Sequence, residues 1–279
     1  MTSKAIYNDF AAGYAGADQF GAIRQSHDVA MQQLMALGLE ARSTCKVLDL
    51  GVGDGAFLKR LSEHLPCAEF TGLDVSSEML KRAQQTLPLT TIESSAADVM
   101  NFLPAHTQDL VLAHFINAYL PTHTLFSAAH ELIRSTGYYS MITTTYDSFP
   151  VAQQYLANCI AEGTILSSVV GHYYKSIVKQ TTVAASQAEL LSAFSRHNFE
   201  IVAHQRIELP IVLNSIEELA SFGIDGTWFL NSLSIRILPR QFLLNRLKRL
   251  FSKIFTFPYY DTHIIDVVLA RHASGPHTH

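Results

Sequence analysis

The chain has 279 residues, 48% hydrophobic and 16% charged, which suits one large globular domain and excludes a disordered or fibrous protein. A formal net charge of −4 gives no global attraction to nucleic acid, so any surface for an acidic partner must be local. The cysteines Cys45, Cys67 and Cys159 are odd in number and lack metal-ligand spacing, which argues against a disulfide framework or structural zinc and fits a reducing, cytoplasmic setting.

The opening MTSKAIYNDF lacks the basic-then-apolar pattern of a signal peptide, and no apolar run reaches the roughly 18 residues of a membrane span, so a soluble chain is expected. Residues 22–38 carry Ile23, Val29, Ala30, Leu34 and Leu37 at helical spacing, with Gly38 as a stop. From 46 onward short apolar runs alternate with helical patterns: KVLDL, AFLKRLSEHL, EFTGLDV, SEMLKRAQQT, TIESSAA, DLVLAHF, FSAAHELIRS and YYSMITTT. That alternation predicts βαβ units and a doubly wound, seven-stranded, mostly parallel α/β sheet. After Tyr146 the rhythm changes. Helices are expected in 150–170, 187–197, 215–223 and 239–256, strands at 199–209 and 263–271, and a frayed tail at the end. One domain follows, with a helical lead (1–45), a core (46–146) and a helical cap drawn from 150–185 and 212–258.

The stretch Val47 to Gly55, VLDLGVGDG, reads as a buried strand entering a glycine turn that opens a helix, which brings backbone N–H groups close to a ligand. Gly51, Gly53 and Ala56 also satisfy G-x-G-x-x-A, the dinucleotide fingerprint. Two features oppose a nicotinamide dehydrogenase. Asp49 inside the strand would repel a pyrophosphate but suits a cationic ligand, and the strand follows a long helical lead. Downstream, Asp74 closes FTGLD, where it can accept two ribose hydroxyls, and Asp98-Val99 is expected to close the next strand, with Asp98 on an adenine amine and Val99 and Met79 over the ring. Three carboxylates at three successive strand ends would converge on the edge where open α/β sheets bind ligands.

VLDLGVGDG, GLDVSSEML, AADV, Asp109-Leu110-Val111-Leu112 and ELIRSTGYYSMITT resemble the class I S-adenosylmethionine (SAM) dependent methyltransferases. That resemblance implies SAM as cofactor, with Gly51 and Gly53 toward the methionine portion, Asp74 toward the ribose, and Asp98 with Val99 toward the adenine; Asp49, Val75 and Met79 complete the expected cofactor-binding residues. Val52 departs from the small or cysteine residue that many members carry, and its side chain is expected to point away from the ligand. Phe10-Ala11-Ala12-Gly13-Tyr14 with Arg24-Gln25-Ser26, and later IEELASFGI and FPYY before HIIDVVLA, further resemble the malonyl-acyl-carrier-protein O-methyltransferases of biotin synthesis. This likeness implies a carrier-bound acyl or small-acid substrate. Methyltransferases of other small molecules and a non-catalytic SAM-binding regulator stand as alternatives.

Methyl transfer from a sulfonium needs alignment and exclusion of water, and a carboxylate acceptor needs no base. A hydroxyl or amine acceptor would profit from one, for which His114, after DLVLA, is the candidate, and it also borders the cofactor. Tyr14 could close over the sulfonium, and His172-Tyr173-Tyr174-Lys175 could line a substrate pocket. The 13 histidines look scattered, so no metal is expected. Between Asp225 and Asp261 there is no acid, while Arg236, Arg240, Arg246, Lys248, Arg249 and Lys253 interleave with apolar residues. The 236–253 segment could pack on the sheet, rest on an anionic membrane or dock acyl carrier protein.

Overall fold

The computed structural model describes residues 18–39, 44–161, 182–225 and 255–273, together with 245, 248, 249 and 252. Seven strands form one sheet in the order β3-β2-β1-β4-β5-β7-β6. They are β1 (Cys45–Leu50), β2 (Ala68–Asp74), β3 (Thr90–Glu93), β4 (Gln108–His114), β5 (Ile133–Thr143), β6 (Phe199–Leu213) and β7 (Tyr259–His272). The first five are parallel, and β7 runs antiparallel between β5 and β6. The doubly wound expectation is met. The parallel strands read as continuous apolar runs because both faces are covered.

The helices are α1 (Ala22–Met35), α2 (Ala56–His64), α3 (Ser77–Thr86), α4 (Thr122–Leu132), α5 (Pro150–Ala161), α6 (Gln187–Arg196) and α7 (Ile216–Asp225). Val29, Ala30, Leu34, Leu58, Leu61 and Ala83 bury one sheet face against α1 to α3. Phe126, Ala129, Leu132, Leu190 and Phe194 cover the other through α4 and α6. Asp18 starts α1 by accepting the Ile23 and Arg24 amides at 2.9 Å each, so two helix-terminal donors are satisfied by a residue outside the helix.

Several boundaries differ from the sequence pattern: β6 runs on to Leu213 where 209 was expected, β7 begins at Tyr259 where 263 was expected, and two further differences lie in the core. The ELIRS helix stops at Leu132, and β5 starts at once with Ile133, which pairs with Gln108; a register shift between Gln108 and Leu110 absorbs the extra residues. Asp98 and Val99 close no strand. β3 ends at Glu93, and these residues lie in a 3-10 helix, Ala96–Asn101, started by the Ser95 hydroxyl on the Ala97 amide. The strand yields there because Ser94 and Ser95 offer local side-chain acceptors that favour a turn.

β7 pairs with β5 only from Asp266 to Arg271, but with β6 along its full length. Residues 207–213 and 259–265 therefore project past the carboxyl edge as a two-stranded ribbon. Ile211, Leu213, Leu219, Phe222, Phe255 and Tyr259 form a separate small core on it, joined by Phe20 and Phe149. Asp261 on the ribbon accepts the Val151 and Ala152 amides at 3.1 and 2.9 Å, capping α5 from over a hundred residues away. Histidines expected to be scattered also converge. His130 and His272 lie 4.5 Å apart at the amino edge, and His106 and His272 both reach the Ile133 carbonyl at 3.2 Å. Among the described residues no group of three or more potential ligands is arranged to hold a metal ion, and no helix is long and apolar enough to cross a membrane.

Candidate functional site

The parallel strands β1, β2 and β4 end side by side, and the chain leaves β1 through a loop in which Gly51, Gly53 and Gly55 have φ of 87°, 55° and 78°. Only glycine adopts three left-handed conformations in so short a stretch without strain. Space demands it as well: a Cβ on Gly51 would lie 3.0 Å from Ile116 and one on Gly55 3.1 Å from Ala83. The Gly51 and Val52 amides donate to the Leu73 carbonyl at 2.7 and 3.0 Å, fastening the loop to β2. Val52 is buried in the core, packed where a Cβ on Gly72 would strike it at 2.9 Å, so its side chain points into the protein interior.

Asp74, the last residue of β2, lies across from this loop. One oxygen accepts the Gly53 amide at 3.0 Å and the other the Ser76 amide at 2.8 Å. Burial pushes its pKa up, while the Ser76, Gly53 and Val75 amides hold it back, so the charged form is supported by three donors. Its carboxylate retains acceptor sites for a ligand, since each oxygen has two lone pairs. Val75 follows Asp74 and is partly exposed, Ser76 caps α3 through the Met79 amide at 3.2 Å, and the Met79 side chain is buried.

Asp49 is only 3% exposed, and its Oδ1 has no hydrogen-bond partner. Burial first, and the Asp74 charge second, push its pKa up to about 8. An isolated buried carboxyl is expensive, and such strain marks a ligand site more often than a packing site. The third strand end, level with Asp74 in the ladder, is held by Glu93. Asp98 is exposed on the 3-10 helix and Val99 is buried in the core beneath it. Three acidic residues thus do line adjacent strand ends, but Glu93 occupies the position expected of Asp98.

His114 ends β4, yet its ring is enclosed. Phe57 meets it edge-on at 4.5 Å, His27 of α1 lies at 5.7 Å, Nε2 pairs with the Ser140 hydroxyl at 3.1 Å, and Nδ1 is buried without a partner. Burial, then the His27 charge, pushes its pKa well below the usual imidazole value, so it is neutral at pH 7. His27 and Ser140 escaped the sequence reading because nothing in linear spacing joins α1 to β5. Beyond β4, Phe115 has φ of 57°, and the buried Asn117 carbonyl accepts the Thr182 hydroxyl, which pins the loop over the site. Tyr14 and the 172–175 stretch lie outside the described residues, as does most of the 236–253 segment.

Residues 47–137 match the family described as a methyltransferase domain. The trans-aconitate 2-methyltransferase of an Azoarcus strain is 40% identical over 88 residues, 32% of this chain and 33% of that protein. The Escherichia coli trans-aconitate 2-methyltransferase is 35% identical over 92 residues, covering 33% of this chain and 36% of that protein. The chain thus spans about a third of the length of the curated relatives it matches. Among solved structures, the YcgJ protein of Bacillus subtilis superposes with a TM-score of 0.56 at 15% identity, over 90% of this chain and all of that one. Haemonchus contortus phosphoethanolamine N-methyltransferase 2 gives a TM-score of 0.54 at 14% identity, over 96% of this chain and 61% of that one. The fold is that of the Rossmann-like methyltransferases.

Proposed function

We propose that this protein is a SAM-dependent methyltransferase that O-methylates a carboxylate of a small acid. The observation that carries the reading is the partnerless, buried Asp49 oxygen beside Asp74 under the glycine loop. Two carboxylates at adjacent strand ends, one with an unpaired buried oxygen and one held by the Gly53 amide, suit a cationic amino-acid moiety and its ribose and disfavour a pyrophosphate. In this reading residues 46–146 form the cofactor half, with Asp49, Gly51 and Gly53 at the methionine end, Asp74 and Val75 at the ribose, and Met79, Asp98 and Val99 near the adenine. The segments 150–185 and 212–258 supply the acceptor side.

The cofactor brings an activated methyl with a good leaving group. The chain's own residues orient that sulfonium and shed water around it. His114, neutral, ring-packed and bonded to Ser140, favours an acceptor that is ionised by itself, which a carboxylate is at pH 7. The trans-aconitate relatives support a free small acid over malonyl-carrier protein, and the carrier reading rests on the likeness of the 10–14, 216–224 and 257–260 stretches together with the basic 236–253 segment. Mass spectrometry of reactions with SAM and trans-aconitate, malonyl-carrier protein, malonyl-coenzyme A and other short acids tests both. A methyl ester on a free acid is expected; product only on the carrier-bound thioester would replace that substrate with the carrier, and NADH binding without product would overturn the methyltransferase reading.

A further inference from the structure

Asp49 and Asp74 sit on adjacent parallel strands, with the glycine loop above them, but their surroundings differ. Asp74 receives the Gly53 and Ser76 amides, which stabilise a negative charge. Asp49 Oδ1 receives nothing, although it is sealed from solvent. Two carboxylates this close do not both ionise readily in a dry site, and the proton belongs with the one that lacks donors.

We propose that Asp49 is a proton-exchanging recognition residue: it is protonated in the empty site and gives its proton to solvent when a cationic amino group docks against it. The proposal rests on the SAM reading above and adds to it a selection for charge. A protonated Asp49 costs little to bury, and an ionised Asp49 is tolerated only when a positive group replaces water. Asp74 is the charged group that faces it and raises its pKa, to about 8, after burial itself. At pH 7 about nine in ten empty sites then hold the proton, given one unit between pH and pKa. Below pH 8 affinity for a cationic amine should rise by about tenfold per pH unit, because ionised Asp49 is the competent form.

Calorimetric titration of the full chain with S-adenosylhomocysteine tests this, run at pH 7 in phosphate and in Tris, whose ionisation enthalpies differ. The dependence of the observed heat on buffer should give release of about 0.9 proton per ligand bound, and affinity should rise about tenfold from pH 6 to pH 7. Asp49→Asn, which copies the protonated shape and keeps the fold, should bind at least tenfold more weakly at pH 8, with no buffer dependence. Tight binding without proton release in the wild type would overturn the proposal and leave the cofactor reading standing. Release that persists in Asp49→Asn would also overturn it. Absence of binding at every pH would overturn the cofactor reading itself.

Discussion

Asp74 accepts the Gly53 amide at 3.0 Å, so a carboxylate at the end of one strand sets the conformation of a loop that leaves its neighbour. The same group is proposed to hold the ribose. Asp74→Ala should weaken S-adenosylhomocysteine by about 2–3 kcal/mol, on the order of a hundredfold in Kd, because a hydrogen-bonded charge is lost. Calorimetry measures it. Affinity within twofold of wild type would mean that the ribose lies elsewhere.

Tyr139 offers a test of packing apart from the site. Its hydroxyl is buried without a partner among Phe126, Phe194 and Phe199, with ring centroids 5.4–6.0 Å away. Removing an unsatisfied polar atom is neutral or stabilising. Tyr139→Phe should raise Tm by up to about 4 °C in a thermal melt; a fall of several degrees would show that the hydroxyl makes a bond.

Asp261→Ala removes the acceptor for the first amides of α5 and for the Tyr259 hydroxyl. The loss should cost about 1–3 kcal/mol, with amide exchange quickened at Val151 and Ala152. Asp261→Asn, which keeps one acceptor oxygen, should lose less. Equal exchange at those amides in wild type and Asp261→Ala would contradict the capping.

Two enclosed imidazoles, the partly buried His27 and the buried His263, make the fold acid-sensitive. Burial, followed by Arg60, lowers the His27 pKa to about 4, and burial lowers that of His263 to about 3. An unfolded chain binds these protons near pH 6.5 while the folded one refuses them, so stability is full above about 6.5 and falls as pH drops toward 4. Asp49, raised to about 8, acts in the opposite sense, its contribution being lost as pH rises toward 8. His27→Phe should therefore show a shallower decline in Tm between pH 6.5 and 4 than wild type. Parallel curves would place His27 in contact with water.

Much of the sheet was legible because buried parallel strands are short apolar runs broken by helix signals, and Asp49 could be located from the glycine loop and Asp74 from the end of the strand FTGLD. Asp98 misled because Ser94 and Ser95 end β3 early, a local competition that an alternating pattern does not display. The Asp261 cap, the His114–Ser140 pair and the histidines gathered at the amino edge join residues far apart in the chain: β7 lying between β5 and β6 brings the first and last together, and the parallel pairing of β4 with β5 the second. Sequence spacing carries no record of such meetings. The aromatic ribbon core was read only as two separate elements for the same reason.

Transfer of a labelled methyl from SAM to a small acid, followed by mild base, tests the central claim most directly. Carboxyl methyl esters release methanol in base, whereas N-methyl, C-methyl and ether products do not. The account predicts label in the acid fraction that is released as volatile methanol, and on the order of a hundredfold less with Asp74→Ala at limiting SAM. Label that stays fixed in base, or that never leaves SAM with any acid tried, would contradict it.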